Sequence, residues 1–451
     1  MAEVKKAKAP KLADPIQATI DVASREMIVR AQQLGVETVF DRAVKMKPCN
    51  IGIQGICCKN CAMGPCRLPL PKGGIEGEDE RKGLCGATPN TIAARNFARM
   101  VAAGAAAHSD HGRSVAEVFM SAARKETDDY KIKDKARLLD IAPYLNVATK
   151  VEVDGEEKDR DIDEIALEVA EAAMNEWGKP EGELLYAKRA PAPLYEKWKK
   201  NGVVPRNIDR EIVEIMHRTH MGVDQDYKNL VKQCTRASLA DGWGGSMLAT
   251  DLQDVLFGTP YPLQSEANIG IMKEDHVNVI VHGHEPVLSE MIVAAAQSKE
   301  MLDYAKEKGA NGIQLGGICC TANEILQRHG VPPAGNFLQQ ELVIVTGACD
   351  AMVVDIQCVF QNLANVAKCF HTKLITTHHI AKMEQDNVIH IVFDEHHAME
   401  DAKRILKLAI ENFANRGTEV IIPKHKATQM AGFGVESIEY HLGGTFRGTY
   451  Y

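Results

Sequence analysis

Cysteines crowded near the amino terminus constrain this chain more than any other feature. Six of its twelve cysteines fall between positions 49 and 85, at Cys49, Cys57, Cys58, Cys61, Cys66 and Cys85. The first residues lead into a Lys/Ala/Pro stretch and not into the apolar core of a secretory signal. We therefore expect a cytoplasmic protein, in which clustered cysteines bind metal or do redox work more often than they form disulfides.

Four of these cysteines have a spacing that suits one iron–sulfur cluster. They follow the pattern Cys58-x2-Cys61-x4-Cys66-x18-Cys85. Soft thiolates select zinc or iron–sulfur centres, and a [4Fe–4S] cubane takes one cysteine per iron. The alternative is a zinc ribbon, which usually pairs two knuckles of closely spaced cysteines. Because the isolated Cys85 breaks that symmetry, the spacing favours a [4Fe–4S] cluster.

The pair Cys49-x7-Cys57 adds two more thiolates beside this quartet. Two ligands are too few for a cubane in one chain, but two copies of the pair on a two-fold axis supply four. The alternative is a pair of buried free thiols, which are common in proteins. The residues alone leave both interpretations open.

Charge and composition are those of a globular protein. Asp and Glu number 61 against 53 Lys and Arg, which gives a net charge of −8, and 45% of residues are hydrophobic. A mildly acidic chain without a basic block is a poor candidate for binding nucleic acid or anionic membranes. No apolar run approaches the roughly 18 residues of a membrane span. Composition also excludes a collagen, a coiled coil, a disordered chain and a secreted disulfide scaffold.

Residues 1–255 are predicted to form a mainly helical domain that carries the amino-terminal cysteines. Residues 161–170 place apolar side chains at helical spacing. A second helix is expected to start at Thr88 and Pro89, because Thr caps helices and Pro suits the first helical position. Farther along it, His108 and His111 are three residues apart and share a face. The residues alone favour satisfied core histidines over functional groups at these two positions.

Residues 256–423 are predicted to form a Rossmann-like doubly wound α/β domain. Short apolar runs alternate there with helical patterns. The predicted strands include residues 278–281, 312–315, 351–356, 373–377, 388–392 and 420–422, and residues 342–345 suit either a helix end or a strand. This alternation is typical of a parallel sheet with helices on both faces.

Candidate metal ligands follow three of the predicted strands. His282-Gly283-His284 ends the first, the pair Cys319-Cys320 follows the second, and Cys358 follows the strand over residues 351–356. A lone Cys or His is usually a core residue. The carboxyl ends of parallel strands, however, meet at the same edge of a sheet, where ligands bind. The three positions together predict a second metal site.

Taken together, these motifs resemble the catalytic subunit of the anaerobic nickel–iron carbon monoxide dehydrogenases. The resemblance runs from about residue 30 to the last residue and rests on CCKNCAMGPCR from Cys57, GAAAH ending at His108, LFGTP from Leu256, VHGH ending at His284, CCTANE from Cys319 and DIQC ending at Cys358. It implies a homodimer that oxidises CO with water to CO2, two protons and two electrons, or that runs the reverse reaction.

The resemblance implies two electron-transfer clusters. The relay [4Fe–4S] cluster would be held by Cys58, Cys61, Cys66 and Cys85. A second [4Fe–4S] cluster would be shared between subunits, with Cys49 and Cys57 supplying half of its ligands.

The resemblance also implies a catalytic Ni-4Fe-4S cluster. His284, Cys320 and Cys358 would be among its ligands, with His284 chosen over His282 by the family's motif. His108 would lie near the cluster as a base or hydrogen-bond donor, and His111 would help to move protons. Cys234, Cys349 and Cys369 lie where the family places no cluster ligand.

In the carbon monoxide dehydrogenases that this chain resembles, a second α/β domain follows this region. It supplies three further cysteine ligands of the catalytic cluster and a lysine that acts as an acid. Residues 424–451 are expected to be the start of that domain, with the rest largely missing, and no cysteine follows Cys369. We therefore expect this chain alone to hold an incomplete ligand set for the catalytic cluster and to show little or no CO oxidation. Either this chain is an incomplete product of a longer gene, or another chain supplies the missing half of the enzyme.

Partners and competing functions follow from the same resemblance. The electron acceptor is expected to be ferredoxin or a similar iron–sulfur protein, and an acetyl-CoA synthase subunit is a further expected partner. Two other functions stay open. One is a non-catalytic subunit that dimerises and relays electrons or regulates the full enzyme; the other is an enzyme like the hybrid-cluster hydroxylamine reductases. The spacing of Cys49, Cys57 and Cys58 argues against the latter.

Overall fold

The computed structural model describes residues 12–417 and 419–442. Residues 1–11, on which the expectation about a secretory signal rests, and residues 443–451 lie outside this range. Its helices are α1 Pro15–Ala18, α2 Val22–Gln33, α3 Val39–Lys45, α4 Pro89–Arg124, α5 Lys135–Ile141, α6 Ile162–Gly178, α7 Ala192–Asn201, α8 Ile208–Arg218, α9 Tyr227–Ala240, α10 Ala249–Phe257, α11 Pro286–Gln297, α12 Lys299–Glu307, α13 Cys319–His329, α14 Gln340–Val345, α15 Leu363–Ala367, α16 Ala398–Asn412 and α17 Val435–Leu442.

The strands are short, and most of them belong to one sheet. They are β1 Cys57–Cys58, β2 Cys66–Arg67, β3 Lys150–Val153, β4 Glu156–Asp159, β5 Leu263–Ala267, β6 Val277–Gly283, β7 Ile313–Ile318, β8 Pro333–Gly335, β9 Cys349–Val354, β10 Lys373–Thr376, β11 Val388–His390 and β12 Ala427–Ala431. The described residues divide into two compact units, one over Pro48–Gly258 and one that combines residues 12–47 with residues from 259 on.

The unit over Pro48–Gly258 is built around the long helix α4. Helices α6, α8, α9 and α10 all pack against α4. The helix starts where the sequence predicts, because the Thr88 hydroxyl accepts a hydrogen bond from the backbone N–H of Thr91 and Pro89 occupies the first turn. Helix α6 starts in the same way, with the Asp161 carboxylate capping Asp163 and Glu164.

A π-helical segment, Asp241–Leu248, joins α9 to α10 in this unit. Small residues let it approach α4 closely. A Cβ atom at Gly245 would lie 3.4 Å from the backbone of His108, and one at Gly112 would lie 2.8 Å from the carbonyl oxygen of Gly245. π-Helical turns are rare and are frequently found at functional sites. This segment therefore brings its side chains directly onto the middle of α4.

The other unit contains a parallel six-stranded sheet in the order β11-β10-β9-β6-β7-β8. When these six strands are numbered 1 to 6 along the chain, from β6 to β11, the sheet read from its β8 edge has the order 3-2-1-4-5-6. This is the strand order of the Rossmann fold. All five strand pairs are parallel. The predicted parallel α/β fold is confirmed, and the order reverses between β6 and β9, which makes this the switch point of the sheet.

Helices cover both faces of the sheet. Ile280, Met352 and Leu374 lie in one apolar core with residues of α2, α14 and α15. Helix α16 packs on β6, β9 and β10 as well, and the alternate residues Val279 and Val353 are fully buried. Because strand side chains alternate between faces, burial of both sets requires cover on both sides.

Residues 12–47 belong to the unit that contains the six-stranded sheet and not to the unit over Pro48–Gly258. This differs from the predicted helical domain over residues 1–255. Met27 and Ile28 of α2 are buried in the same core as the sheet, and Arg30 donates to the carbonyl of Val345 at 2.8 Å. Arg42 of α3 forms an ion pair at 2.7 Å with Glu341, whose side chain is fully buried. These contacts join residues about 300 positions apart, which local sequence patterns do not report.

The segment from residue 420 on also differs from expectation. Residues 420–422 are not a strand. The N–H of Ile421 donates to the carbonyl of Thr346, and Val420 and Ile422 pack on the sheet's core without pairing with a strand. Beyond them, β12 pairs with β5 in antiparallel register, so the described residues after 423 cluster with this unit. No helix in the described residues is both long and apolar enough to cross a bilayer.

Candidate metal centres

The four cysteines of the predicted relay cluster meet around one cavity. β1 pairs with β2 so that Cys58 lies opposite Cys66, and the loop between them carries Cys61. Gly64 lets this loop close, because a Cβ there would lie 3.0 Å from the carbonyl oxygen of Cys58. Cys85 lies three residues before the cap of α4. All four side chains line a space of about 350 Å³, including its open mouth, together with Arg95 and Met63.

Hydrogen-bond donors face these sulfurs. The N–H of Leu84 points at Cys66 Sγ at 3.5 Å, and Arg95 Nη1 lies 3.9 Å from Cys85 Sγ. The backbone N–H of Ala87, with Arg95, holds the pKa of the Cys85 thiol below its usual value. Donors of this kind stabilise thiolates and tune the potential of a bound cluster. The cavity and its donors therefore fit a cysteine-bound anionic cluster.

Two buried cysteines, Cys234 in one unit and Cys349 in the other, differ in this respect. Burial raises the pKa of Cys234 and of Cys349, as expected for inert core thiols. In the part of the chain that the structure describes, no three His, Cys, Asp or Glu side chains converge on one point as ligands of a single ion do. A cubane binds each cysteine through a different iron and does not need that convergence.

Cys49 and Cys57 lie beside the relay cavity at the surface. Cys49 is exposed and Cys57 is half-buried. The backbone N–H groups of Gly52 and Ile51 lower the pKa of Cys49, with Gly52 N at 3.5 Å from the sulfur. The Asn96 side chain donates to the carbonyl of Cys57 at 3.1 Å and so ties Cys57 to α4. Both thiols are thus accessible and one is biased toward thiolate, which differs from a pair of buried free thiols.

His108 faces the π-helical segment. Its Nδ1 lies 2.8 Å from Asp241 Oδ1, and this contact raises the pKa of His108 against the opposing effect of burial. The carboxylate accepts from Nδ1–H, so Nε2 is the basic atom of the ring. His111, one turn on, accepts through Nε2 from the Gln253 amide at 3.2 Å. Asp241 lies 133 positions from His108, so local sequence patterns do not connect the two residues.

The candidate ligands of the second metal site meet at the carboxyl edge of the sheet. His282 pairs with Ile318 on one side and with Val354 on the other, so the chain segments that leave β6, β7 and β9 start side by side. Gly283 also bridges Cys319. His284 and Cys320 lie two residues beyond His282 and Ile318, and Cys358 lies four residues beyond Val354. The edge is the switch point, where α/β sheets bind ligands.

Thiols crowd together at this edge. The Cys319 thiol is hydrogen-bonded to Cys358. Burial raises the pKa of Cys319 to about 12 and the pKa of Cys320 to about 11, and the neighbouring Cys358 thiol adds to both effects. Crowded thiols repel each other as anions, and a bound cation reverses that effect. The structure therefore adds Cys319 to the predicted set as a neighbour of Cys358; the adjacent pair in the sequence was its signal.

His282 and His284 have different surroundings. His282 is fully buried, its Nε2 lies 3.1 Å from the Gln340 amide oxygen, and burial lowers its pKa to about 4. It is a neutral core histidine. His284 lies beyond the strand, where Asp355 Oδ1 accepts its backbone N–H at 2.6 Å. The choice of His284 as the ligand stays a prediction, and these surroundings favour it.

The comparisons with known proteins agree with one another. The sequence profile of the Prismane/CO dehydrogenase family matches residues 56–441. Carbon monoxide dehydrogenase 1 of Methanosarcina acetivorans is 50% identical over 430 residues, which cover 95% of this chain and 66% of that protein. The Ni-free crystal structure of carbon monoxide dehydrogenase from Thermococcus sp. AM4 matches with a TM-score of 0.89 at 46% identity, covering 100% of this chain and 68% of that one.

The third match is a structure of acetyl-CoA synthase/carbon monoxide dehydrogenase with NiZn[Fe4S4] and NiNi[Fe4S4] clusters in its closed and open alpha subunits. It has a TM-score of 0.86 at 40% identity and covers 96% of this chain and 63% of that one. The chain thus spans just under two thirds of the length of the Methanosarcina relative. A profile match over most of the chain, with this level of identity, shows that the chain belongs to the Prismane/CO dehydrogenase family.

Proposed function

We propose that this chain is part of an anaerobic carbon monoxide dehydrogenase that converts CO and water to CO2, two protons and two electrons, reversibly. The observation that carries the proposal is the 50% identity, over 95% of this chain, to a protein named carbon monoxide dehydrogenase. The three strand ends at the switch point and the cysteine-lined cavity support it, because the reaction needs a metal site and an electron path.

The catalytic cluster would be held in part by His284, Cys320 and Cys358. One nitrogen and two sulfur ligands suit a nickel–iron–sulfur centre better than magnesium or calcium, which prefer oxygen. When bound, such a cluster binds CO, lowers the pKa of water and accepts the electrons. The chain's own contribution is to fix the ligands at three adjacent strand ends, where His284 is buried, Cys320 is half-buried and Cys358 is exposed.

His108 is the proposed proton acceptor. Asp241 accepts the Nδ1 proton, which leaves Nε2 to take a proton from the reacting water, and the raised pKa makes that nitrogen a stronger base. His111, one turn farther along α4, is the proposed next proton carrier.

The His108–Asp241 contact also makes stability depend on pH. Because the pKa of His108 is raised in the folded state, the contact stabilises the fold fully below the unfolded pKa of about 6.5. This stabilisation is lost as the pH rises through the folded pKa.

Asp241→Asn should lower the pKa of His108 and slow turnover. Loss of the carboxylate removes the charge that favours imidazolium, so the acid limb of the pH–rate profile of CO oxidation shifts to lower pH. The maximal rate should fall by about tenfold or more, since general bases contribute ~10²–10⁴-fold. The ring proton signals of His108 in NMR spectra give the pKa independently.

The matched control for this change is Asp209→Asn. Asp209 contacts Ser109 and Arg113, neighbours of His108 on α4, and should leave both the profile and the His108 pKa in place. An unshifted acid limb and an unchanged His108 pKa in Asp241→Asn would show that Asp241 does not support the base.

Two electron-transfer clusters complete the proposal. Cys58, Cys61, Cys66 and Cys85 hold the relay [4Fe–4S] cluster, and a second [4Fe–4S] cluster is shared between two copies. The shared cluster requires a homodimer, because one chain supplies only Cys49 and Cys57. Relay iron plus half of the shared iron gives about six iron atoms per chain, before any in the catalytic cluster.

The surface beside Cys57 fits a second copy of this chain. Along α4, Phe97, Met100, Ala103 and Gly104 lie on one exposed stripe, with Phe97 52% and Met100 73% exposed. Neighbouring apolar side chains left in water mark an interaction surface. A two-fold axis at this stripe also brings the Cys49–Cys57 pairs of two chains together.

The double variant Phe97→Glu and Met100→Glu should convert the dimer to a monomer. Charge repulsion across the two-fold axis opposes association, and the shared cluster is lost with it, which lowers the iron content by about two atoms per chain. Sedimentation velocity and iron analysis measure both. Val213→Glu, an equally exposed apolar position on α8, is the control; a dimer that survives the double variant places the interface elsewhere.

Partners beyond the homodimer follow from the reaction and the relatives. Ferredoxin or a similar iron–sulfur protein in the cytoplasm is the proposed electron acceptor. One of the matched structures is an acetyl-CoA synthase/carbon monoxide dehydrogenase, and we propose an acetyl-CoA synthase subunit as a second partner.

The test of the proposed function is CO-dependent reduction of a viologen dye. The protein is purified anaerobically from its native host with any chain that copurifies, and its nickel is measured on the same sample. We expect nickel and CO-dependent reduction together. Nickel-free protein that reduces hydroxylamine instead would support the hybrid-cluster alternative, and iron–sulfur protein inert to both substrates would support an electron-relay subunit.

A further inference from the structure

The backbone around one candidate ligand, Cys358, is unusual. Gln357 and Cys358 both adopt the left-handed conformation, with φ of +69° and +56°. This conformation is unfavourable for a residue with a side chain, and such residues persist where the surroundings dictate them. The Cys358 turn is therefore held by contacts outside itself.

Gln340, at the start of α14, makes contacts on both sides of Cys358. This fully buried amide donates to the carbonyl oxygens of Cys358 at 2.9 Å and of Phe337 at 2.6 Å. Its oxygen accepts from the N–H of Phe360 at 2.9 Å and faces His282 Nε2 at 3.1 Å. Four partners use all the hydrogen bonds that the amide can form, so its orientation is fixed.

Asp355 makes the corresponding contacts to the His284 turn. It is 2% exposed, and its two oxygens accept the backbone N–H groups of His284 at 2.6 Å and of Glu285 at 3.0 Å. Gly283 makes this approach possible, because a Cβ there would overlap Asp355 Oδ1. The carboxylate thus connects the ends of β6 and β9 across the switch point.

We propose that Asp355 and Gln340 are positioning residues that hold the His284 and Cys358 turns in their metal-binding conformation before the metal arrives. This inference rests on the proposed function for the identity of the ligands. Asp355 fixes one turn through its backbone N–H groups and Gln340 fixes the other through a carbonyl and an N–H. Both act through the backbone, which leaves the ligand side chains to the metal.

His282 gains a role in this arrangement. Its Nε2–H donates to the Gln340 oxygen, which fixes the tautomer of the ring and supports the amide from the strand below. The core histidine and the amide therefore form one buried chain of hydrogen bonds that ends at the carbonyl of Cys358.

The test compares Asp355→Asn and Gln340→Met with a control on the same strand. Asp350→Asn removes a buried carboxylate at the opposite end of β9, where Asp350 pairs with Arg416 and His371. It destabilises the sheet without touching either turn. All proteins are prepared anaerobically, and nickel affinity, iron content and thermal unfolding are measured on each.

We expect nickel affinity to fall about 10–100-fold in Asp355→Asn and in Gln340→Met, the usual cost of removing a residue that orients a metal ligand. The iron of the relay and shared clusters should stay at about six atoms per chain, since those ligands lie in the other unit. Asp350→Asn should lower the unfolding temperature and keep wild-type nickel affinity.

Hydrogen exchange on metal-free protein gives a second readout that needs no cluster. Asp355→Asn should speed exchange at His284 and Glu285, and Gln340→Met at Phe360, while Asp350→Asn should leave all three as in wild type. Unchanged exchange and nickel affinity in the first two variants, or nickel loss that simply follows unfolding temperature in all three, would overturn the inference. Wild-type protein that binds no nickel but shows the exchange pattern would refute the proposed function and keep the positioning role.

Discussion

Cys320→Ser should abolish nickel binding and CO-dependent dye reduction, with at least about a hundredfold loss of rate, because removing a ligand costs more than removing a residue that orients one. Serine is nearly isosteric but is a poor ligand for soft metals. The iron of the relay and shared clusters should stay in place, since its ligands lie in the unit over Pro48–Gly258. Nickel analysis and the viologen assay on one holoenzyme preparation measure the change.

The matched control for Cys320→Ser is Cys369→Ser. Cys369 is an exposed thiol of the same unit, and its loss should change neither nickel nor rate. If Cys320→Ser keeps both while Cys319→Ser loses them, the ligand is the neighbouring thiol that the structure places beside Cys358.

Cys61→Ser should remove the relay cluster and about four iron atoms per chain, because a cubane needs all four cysteines for stable binding. The brown absorption of the protein should fall accordingly, and dye reduction should fall with it, since electrons lose their path from the catalytic site. The shared cluster, held by Cys49 and Cys57 of two chains, should keep about two iron atoms per chain. Iron analysis and visible absorption measure this directly.

Cys234→Ser is the control in the same unit, because burial keeps that thiol protonated and we expect no change in iron or colour. Wild-type iron content in Cys61→Ser would contradict the relay assignment. A loss of one zinc atom without loss of iron would instead support the zinc alternative.

Local chemistry in the sequence predicted much of this fold. The start of α4 could be placed at Thr88 and Pro89 because capping depends on a few neighbouring residues. The strands β6, β7, β9 and β10 could be found because each is a short, apolar run in a chain that alternates strands with helices. Their predicted parallel arrangement placed His282-Gly283-His284, Cys319-Cys320 and Cys358 at one edge of the sheet, and the resemblance selected His284 and Cys320 among them.

Contacts between distant residues could not be predicted in this way. The packing of α2 on the sheet and the pairing of β12 with β5 join segments far apart in the chain. Residues 420–422 have the apolar, β-branched composition of a strand but find no strand to pair with, and composition alone does not report pairing. Asp241 escaped notice for the same reason, since it contacts a residue 133 positions away.

The positioning residues were hidden for another reason. Asp355 and Gln340 look like ordinary polar residues in the sequence, and only burial with several hydrogen-bond partners marks them as important. The resemblance to carbon monoxide dehydrogenases named the ligands and gave no account of what holds them. The structure supplies that account for the His284 and Cys358 turns.

The central claim is that the amino-terminal cysteines bind iron–sulfur clusters. Its most direct test is the iron, nickel and zinc content per chain of the wild-type protein purified without oxygen. We predict a brown protein with about six iron atoms per chain from the two electron-transfer clusters, any further iron accompanied by nickel, and zinc far below one atom per chain. A colourless protein with one zinc atom per chain and no iron would contradict it.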